Sequence, residues 1–218
     1  MKLEDLNCAY DKMQKKYGAK ELDSIYGGGC AFEPDVCFVF MNPTGRNIAS
    51  SKDWDGPKYP WIGTKNVWDI FYQLELLDLE LYENIKKIKG KDWDVSFAFK
   101  VYENVKKHRY FLTNLGKCTQ IDARALPDAV LKKYLSLLKK EISIIKPKIV
   151  ILFGNQVSSI VLGKKISVSE VRRKKFFKKI GGIVYTFYAV YYPVGNGRFN
   201  LDKAIEDIRW IFKEEGIF

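Results

Sequence analysis

Four stretches of the chain are apolar almost without interruption, and a strand that lacks polar alternation cannot lie with one face in water. They are residues 36–41 (VCFVFM), 110–113 (YFLT), 149–153 (IVILF) and 183–192 (IVYTFYAVYY). Such runs suit parallel strands covered by helices on both faces. Helical patterns fall between them. Thr64 caps a helix that turns Val67, Ile70, Phe71, Leu74 and Leu77 inward. Pro127 opens another with Val130, Leu131, Tyr134, Leu138, Ile142 and Ile145 on its apolar side, stopped by Pro147. A last helix from Asn200 buries Leu201, Ile205, Ile208, Ile211 and Phe212, and an amphipathic helix with Leu3, Leu6, Tyr10 and Met13 precedes the first strand. This order predicts an α/β fold of three layers, α/β/α, around a central four-stranded, mainly parallel sheet.

With 218 residues, 47% of them apolar, the chain can bury one substantial core, so a single domain over residues 1–218 is expected. Residues 78–109 are more than one connection needs and read as a helical insertion of exposed helices, anchored by Trp93, Phe97 and Phe99. The first residues carry charges in place of a signal peptide's apolar block, and no run reaches membrane-spanning length. A soluble, monomeric, cytoplasmic protein is expected, nucleoid-associated in a prokaryote, with no membrane partner. Cys8, Cys30, Cys37 and Cys118 include no Cys-x-x-Cys pair, which argues against a zinc knuckle or a disulfide scaffold and for reduced thiols.

The formal charge is +11, and residues 164–179 alone hold eight cations against one acid. Clustered Lys and Arg attract phosphates and gain from counterion release, so Arg172, Arg173, Lys174 and Lys175 are candidates for a polyanion contact. A solvated lysine-rich face is the other reading of the same run.

In open α/β sheets ligands bind at the carboxyl ends of the strands. The residues there are Asn42, Asn114, Gly154 with Asn155, and the segment YPVGNGRFN from Tyr192. No Walker lysine motif, no Gly-x-Gly-x-x-Gly after a strand and no Ser/His/Asp set is present. The single histidine, His108, precedes the second strand and reads as structural. What remains is a site of amides, hydroxyls, aromatics and cations, able to read donor and acceptor patterns and to position a water. Trp54, Tyr59 and Trp61, in the loop after Asn42, either stack on a base or cover the underside of their own loop.

FVFMNPT followed by PWIG, then TNLGKC, KPKIVILFGNQ and YYPVGNGR resembles the uracil-DNA glycosylase superfamily in order and spacing, over residues 37–199. The first motif is similar to the Asn-Pro-Gly form of its mismatch-specific and single-strand-selective branches. The resemblance implies a uracil-DNA glycosylase-like fold and a monofunctional DNA-repair hydrolase that excises uracil or another deaminated base by base flipping, with DNA as partner. It puts Asn42 in the place of the asparagine that holds the attacking water and Trp61 where an aromatic ring stacks on the flipped base. Asn114 matches the asparagine that reads a pyrimidine edge. Met41 and Phe40 come in beside the base as members of the first motif. Asn196 and Arg198, in the loop with Gly195 and Gly197, match positions that enter the duplex, and the cluster from Arg172 would touch phosphates.

The sequence departs from the family at informative places. The last motif, usually His-Pro-Ser, reads Tyr192-Pro193-Val194, so Tyr192 stands in for the leaving-group donor. Phe40 and Thr44 replace two glycines of the first motif and narrow the pocket, which either excludes thymine or reshapes the site for a base such as hypoxanthine. The iron–sulfur branch needs four cysteines, of which only Cys118 lies in place, with Tyr134 at the later ligand position; no metal and no cofactor are expected. Two other readings stay open: a nucleic-acid-binding module of the same fold without catalysis, and a protein that shares only the α/β architecture and holds a nucleotide or another small phosphate ligand at the switch point.

Overall fold

The computed structural model describes residues 1–123 and 126–217. A 3-10 turn at Leu3–Leu6 leads into α1 (Asn7–Tyr17). The strands are β1 (Gly28–Gly29), β2 (Val36–Phe40), β3 (Tyr110–Asn114), β4 (Ile149–Phe153), β5 (Phe176–Ile180) and β6 (Ile183–Val190). Helices α2 (Trp68–Gln73), α3 (Leu79–Lys87) and α4 (Val95–Lys107) lie between β2 and β3, and α5 (Asp128–Ile145) lies between β3 and β4. After β4 come α6 (Asn155–Leu162) and α7 (Val168–Val171), and α8 (Leu201–Glu214) ends the fold.

The sheet corrects the expectation of four strands. It has six, in the order β1-β3-β2-β4-β6-β5, and it is mixed. The inner four, β3, β2, β4 and β6, run parallel and coincide with the four apolar runs. Antiparallel edges close both sides: β1 on β3, and β5 on β6. The added strands escape a search for apolar runs for different reasons. Two glycines offer no side-chain pattern in β1. In β5, FFKKI alternates exposure in the way an edge strand does, with lysines discouraging pairing to another chain.

Alternation along the inner strands builds two cores. Val36, Phe38, Phe40, Tyr110, Leu112, Ile149, Ile151 and Phe153 point to one face, where α2, α3, α4 and α8 cover them. Cys37, Val39, Phe111, Val150, Leu152 and Phe187 point to the other, against α1, α5 and α6. The three-layer α/β arrangement follows. Burial of this scale, at about 25 cal/mol per Å² of apolar surface, is the main term holding the layers together.

Residues 78–109 do more than sit on the surface. Leu81, Ile85, Trp93, Ala98, Val101, Tyr102 and Val105 are buried in the first core. Trp93 is an anchor, 3% exposed, with Phe97 edge-on to it at 4.7 Å. Phe99 is not an anchor: it is 50% exposed, because it lies on the outer side of α4.

Candidate active site

Register places the site. Phe40 pairs with Asn114 across β2 and β3, so both chains leave the sheet at one level. The exits then run together: Leu115 and Gly116 donate to the carbonyls of Phe40 and Met41 at 2.8 Å, Gln120 donates to Pro43 O at 3.1 Å, and Gly45 donates to Gln120 O at 2.8 Å. Asn42 and Asn114 are thereby held on one rim of a cleft of about 630 Å³ that also includes Trp61 and Tyr192.

Both asparagines are nearly buried, at 7% and 2% exposure, and the side-chain oxygen of each is buried without a protein hydrogen-bond partner. Buried polar atoms are normally paired, and these two acceptors belong to residues that line one cleft, where a ligand would satisfy them. The Asn42 amide is pinned at its other end, where Nδ2 donates to Pro43 O at 3.1 Å.

Trp61 sits at φ +68°, a left-handed conformation that costs a tryptophan about 1–3 kcal/mol. Its carbonyl is tied by the Thr64 hydroxyl at 2.7 Å and the Thr64 N–H at 3.1 Å, and its ring meets Phe40 edge-on at 4.9 Å. Phe40 itself is fully buried, stacked on Phe153 at 4.4 Å and 6.4 Å from Tyr192. It supports the aromatic floor without lining the cleft. Met41 packs on the opposite face with the second core, so the structure brings neither Phe40 nor Met41 to the cleft wall.

Tyr192 lines the cleft just beyond β6. Burial pushes its hydroxyl up to about 12, so it is a neutral donor at any physiological pH. Gly154 at φ +86° packs on it: a Cβ there would lie 3.3 Å from the Tyr192 Cβ. Gly197 leaves room for the Tyr192 carbonyl, which a Cβ would approach to 2.1 Å.

The loop after Tyr192 has Asn196 exposed and Gly195 on the cleft rim at φ +56°. Arg198 is not free. Its guanidinium donates to Asp69 at 2.9 Å, and Asp69 is buried at 6% exposure with Lys86 at 2.7 Å and the Tyr82 hydroxyl at 3.1 Å as further partners. The next side chain, Phe199, is 83% exposed. Sequence reasoning missed it, although it stands outside the period of the following helix.

The basic cluster is also more engaged than its composition suggests. Arg172 and Arg173 both bind Asp207, which is fully buried, and both reach Glu206; Lys175 sits 3.1 Å from Glu214 and from Glu215. Lys174 is exposed. At the cleft itself stand other cations, Arg46, Lys65 and Lys91. Lys65 donates to Lys86 O at 2.5 Å, whereas Arg46 and Lys91 have no ion-pair partner among the described residues. Only tertiary packing reveals Lys91, since it arrives with residues 78–109.

A family model described as Uracil DNA glycosylase superfamily matches residues 27–209. The chain belongs to that superfamily. A search of curated proteins finds no match. Membership of that superfamily suggests a glycosylase-type function, because its members generally hydrolyse N-glycosyl bonds in DNA. The cysteines of this superfamily member do not fit an iron–sulfur cluster. Cys8 is exposed, Cys30, Cys37 and Cys118 are buried free thiols, and no metal-binding group of three ligands forms among the described residues.

Proposed function

We propose that the protein is a monofunctional DNA glycosylase that removes uracil or a related deaminated base turned out of the stack. The observation that carries this reading is the pair of buried, unpaired amide oxygens of Asn42 and Asn114 in one cleft with Trp61 and Tyr192. Asn42 accepts a hydrogen bond from the attacking water through Oδ1 and aims the water at the sugar C1′. Asn114 reads the edge of the base, which lies against Trp61. As the N-glycosyl bond breaks, its electrons leave with the base, and Tyr192 donates a hydrogen bond to the base oxygen. The water oxygen ends on C1′, its proton is lost to solvent, and an abasic sugar remains.

Extruding a base costs a few kcal/mol of stacking and pairing, which an inserted side chain and phosphate contacts offset. Phe199 fits the inserted role better than Arg198, being bare and apolar where Arg198 is tied to Asp69. Arg198 then holds the loop that presents Phe199. Arg46 and Lys91 supply phosphate contacts at the rim, while the ion-paired Arg172 and Arg173 contribute less.

Incubating oligonucleotides that carry uracil, hypoxanthine, xanthine or mismatched thymine, single-stranded and paired, and then cleaving abasic sites with alkali tests the proposal. Cleavage at uracil or another deaminated base is the expected result. Salt-dependent binding with no cleavage on any substrate would leave a nucleic-acid-binding module of the same fold.

A further inference from the structure

Directly behind Asn114, on the face away from Trp61, lies a buried cluster of charge that the chemistry above does not use. Lys117 and Glu141 are each 1% exposed and meet at 2.9 Å. The Lys117 ammonium also donates to the Thr113 hydroxyl and, at 2.9 Å, to the main-chain carbonyl of Asn114. Thr113 in turn donates to the same Glu141 oxygen at 2.8 Å, and the Tyr10 ring lies 5.3 Å from the ammonium. All three ammonium protons are thus used.

Stability alone is a poor reason to bury such a pair. Replacing a buried ion pair by apolar side chains of similar volume is often neutral or stabilising, whereas removing one partner is costly. The position of the pair supplies a better reason. The Asn114 carbonyl and the Leu115 N–H belong to one peptide unit; Lys117 holds the carbonyl, and Phe40 O holds the N–H at 2.8 Å. A peptide plane tied at both polar groups fixes ψ of Asn114, and with it the direction from which the Asn114 amide enters the cleft.

We propose that Lys117, charge-balanced by Glu141, is a positioning residue that locks this peptide plane and thereby sets the base-reading amide of Asn114. The inference rests on the role given to Asn114 under the proposed function. Its weight is that of orientation: a reacting group displaced by about 1 Å can lose about 100-fold in rate.

The test compares the wild type with the double variant Lys117→Met/Glu141→Leu and with Thr113→Val. The readouts are melting temperature, kcat/KM for base excision, and the NMR signals of the Asn114 side-chain amide, assigned by their disappearance in Asn114→Asp. In the double variant the melting temperature stays within about 5 °C of wild type. Its Asn114 amide signals shift or broaden, and kcat/KM falls by about 100-fold. Thr113→Val keeps the bond from Lys117 to Asn114 O, so its amide signals stay in place and its kcat/KM stays within about threefold. A double variant with native amide signals and native excision would overturn the proposal. So would a Thr113→Val variant that moves those signals or loses activity a hundredfold, and this second result can be read even if the double variant does not fold. Should the wild type release no base from any substrate, the glycosylase reading fails, and the amide signals alone still decide whether Lys117 sets Asn114.

Discussion

At the scale of single residues, the two asparagines differ in what they can lose. The Asn42 Nδ2 is spent on Pro43 O and its Oδ1 is unpaired, so if Asn42 holds the water as proposed, Asn42→Ala removes water positioning and little else. Excision should fall by about 10²–10³-fold, in the range for losing one preorganised polar contact, with DNA affinity changed by no more than about threefold. Single-turnover rates beside binding titrations check this, and equal losses in both would mean that Asn42 serves binding. Burial pushes the Tyr192 hydroxyl up to about 12, so in the proposed reaction it donates a hydrogen bond and keeps its proton. The rate should therefore show no alkaline fall from this group below about pH 11, and Tyr192→Phe should lower it by about tenfold or more at every pH. If Phe199 fills the stack as proposed, it matters only where there is a stack to fill. Phe199→Ala should weaken excision from duplex DNA by about tenfold or more and leave excision from single strands nearly unchanged.

Elements decide which of these residues could be seen in the sequence. The inner strands β2, β3, β4 and β6 are legible because burial on both faces leaves no room for polar alternation, and the strand ends then mark Asn42, Asn114 and Tyr192 directly. Phe199 and Lys91 are not legible in this way. One stands in the short 3-10 turn Gly195–Asn200, which has no apolar period to read, and the other is brought to the cleft by the packing of α3 and α4. Two glycines make that packing possible. A Cβ on Gly90 would lie 2.0 Å from the Gly63 carbonyl, and one on Gly63, at φ +78°, would lie 2.9 Å from the Gly90 carbonyl. This backbone contact joins the turn between α3 and α4 to the loop that carries Trp61. Gly90→Ala should push the two loops apart and displace Trp61, costing on the order of 1–3 kcal/mol, the range for overpacking. Lower melting temperature with a weakened base-dependent quench of tryptophan fluorescence is the expected outcome; a native melting curve and native quench would show that the loops tolerate the separation.

For the whole molecule, the net charge of +11 matters less than which cations are already spent. Arg172, Arg173 and Lys175 face Glu206, Asp207, Glu214 and Glu215 on and just beyond α8, and burial of Asp207 means that Arg172 and Arg173 are needed at home. Withdrawing them to bind phosphate would strand that carboxylate. Arg46 and Lys91 have no ion-pair partner among the described residues and line the cleft that a base would enter in the proposed reaction. Each phosphate neutralised on a duplex adds about 0.9 to the slope of log affinity against log salt. Arg46→Gln/Lys91→Gln should therefore flatten that slope by about 2 and weaken binding most at low salt. Lys175→Gln, which removes a cation already opposed by two glutamates, should leave the slope nearly unchanged. Affinity for a uracil-containing duplex measured across a salt series separates the two. If the Lys175 variant flattens the slope and the Arg46/Lys91 variant does not, the duplex lies over the β5 edge of the sheet and away from the mouth of the cleft, and the route by which a base reaches Asn42 must be drawn from that side.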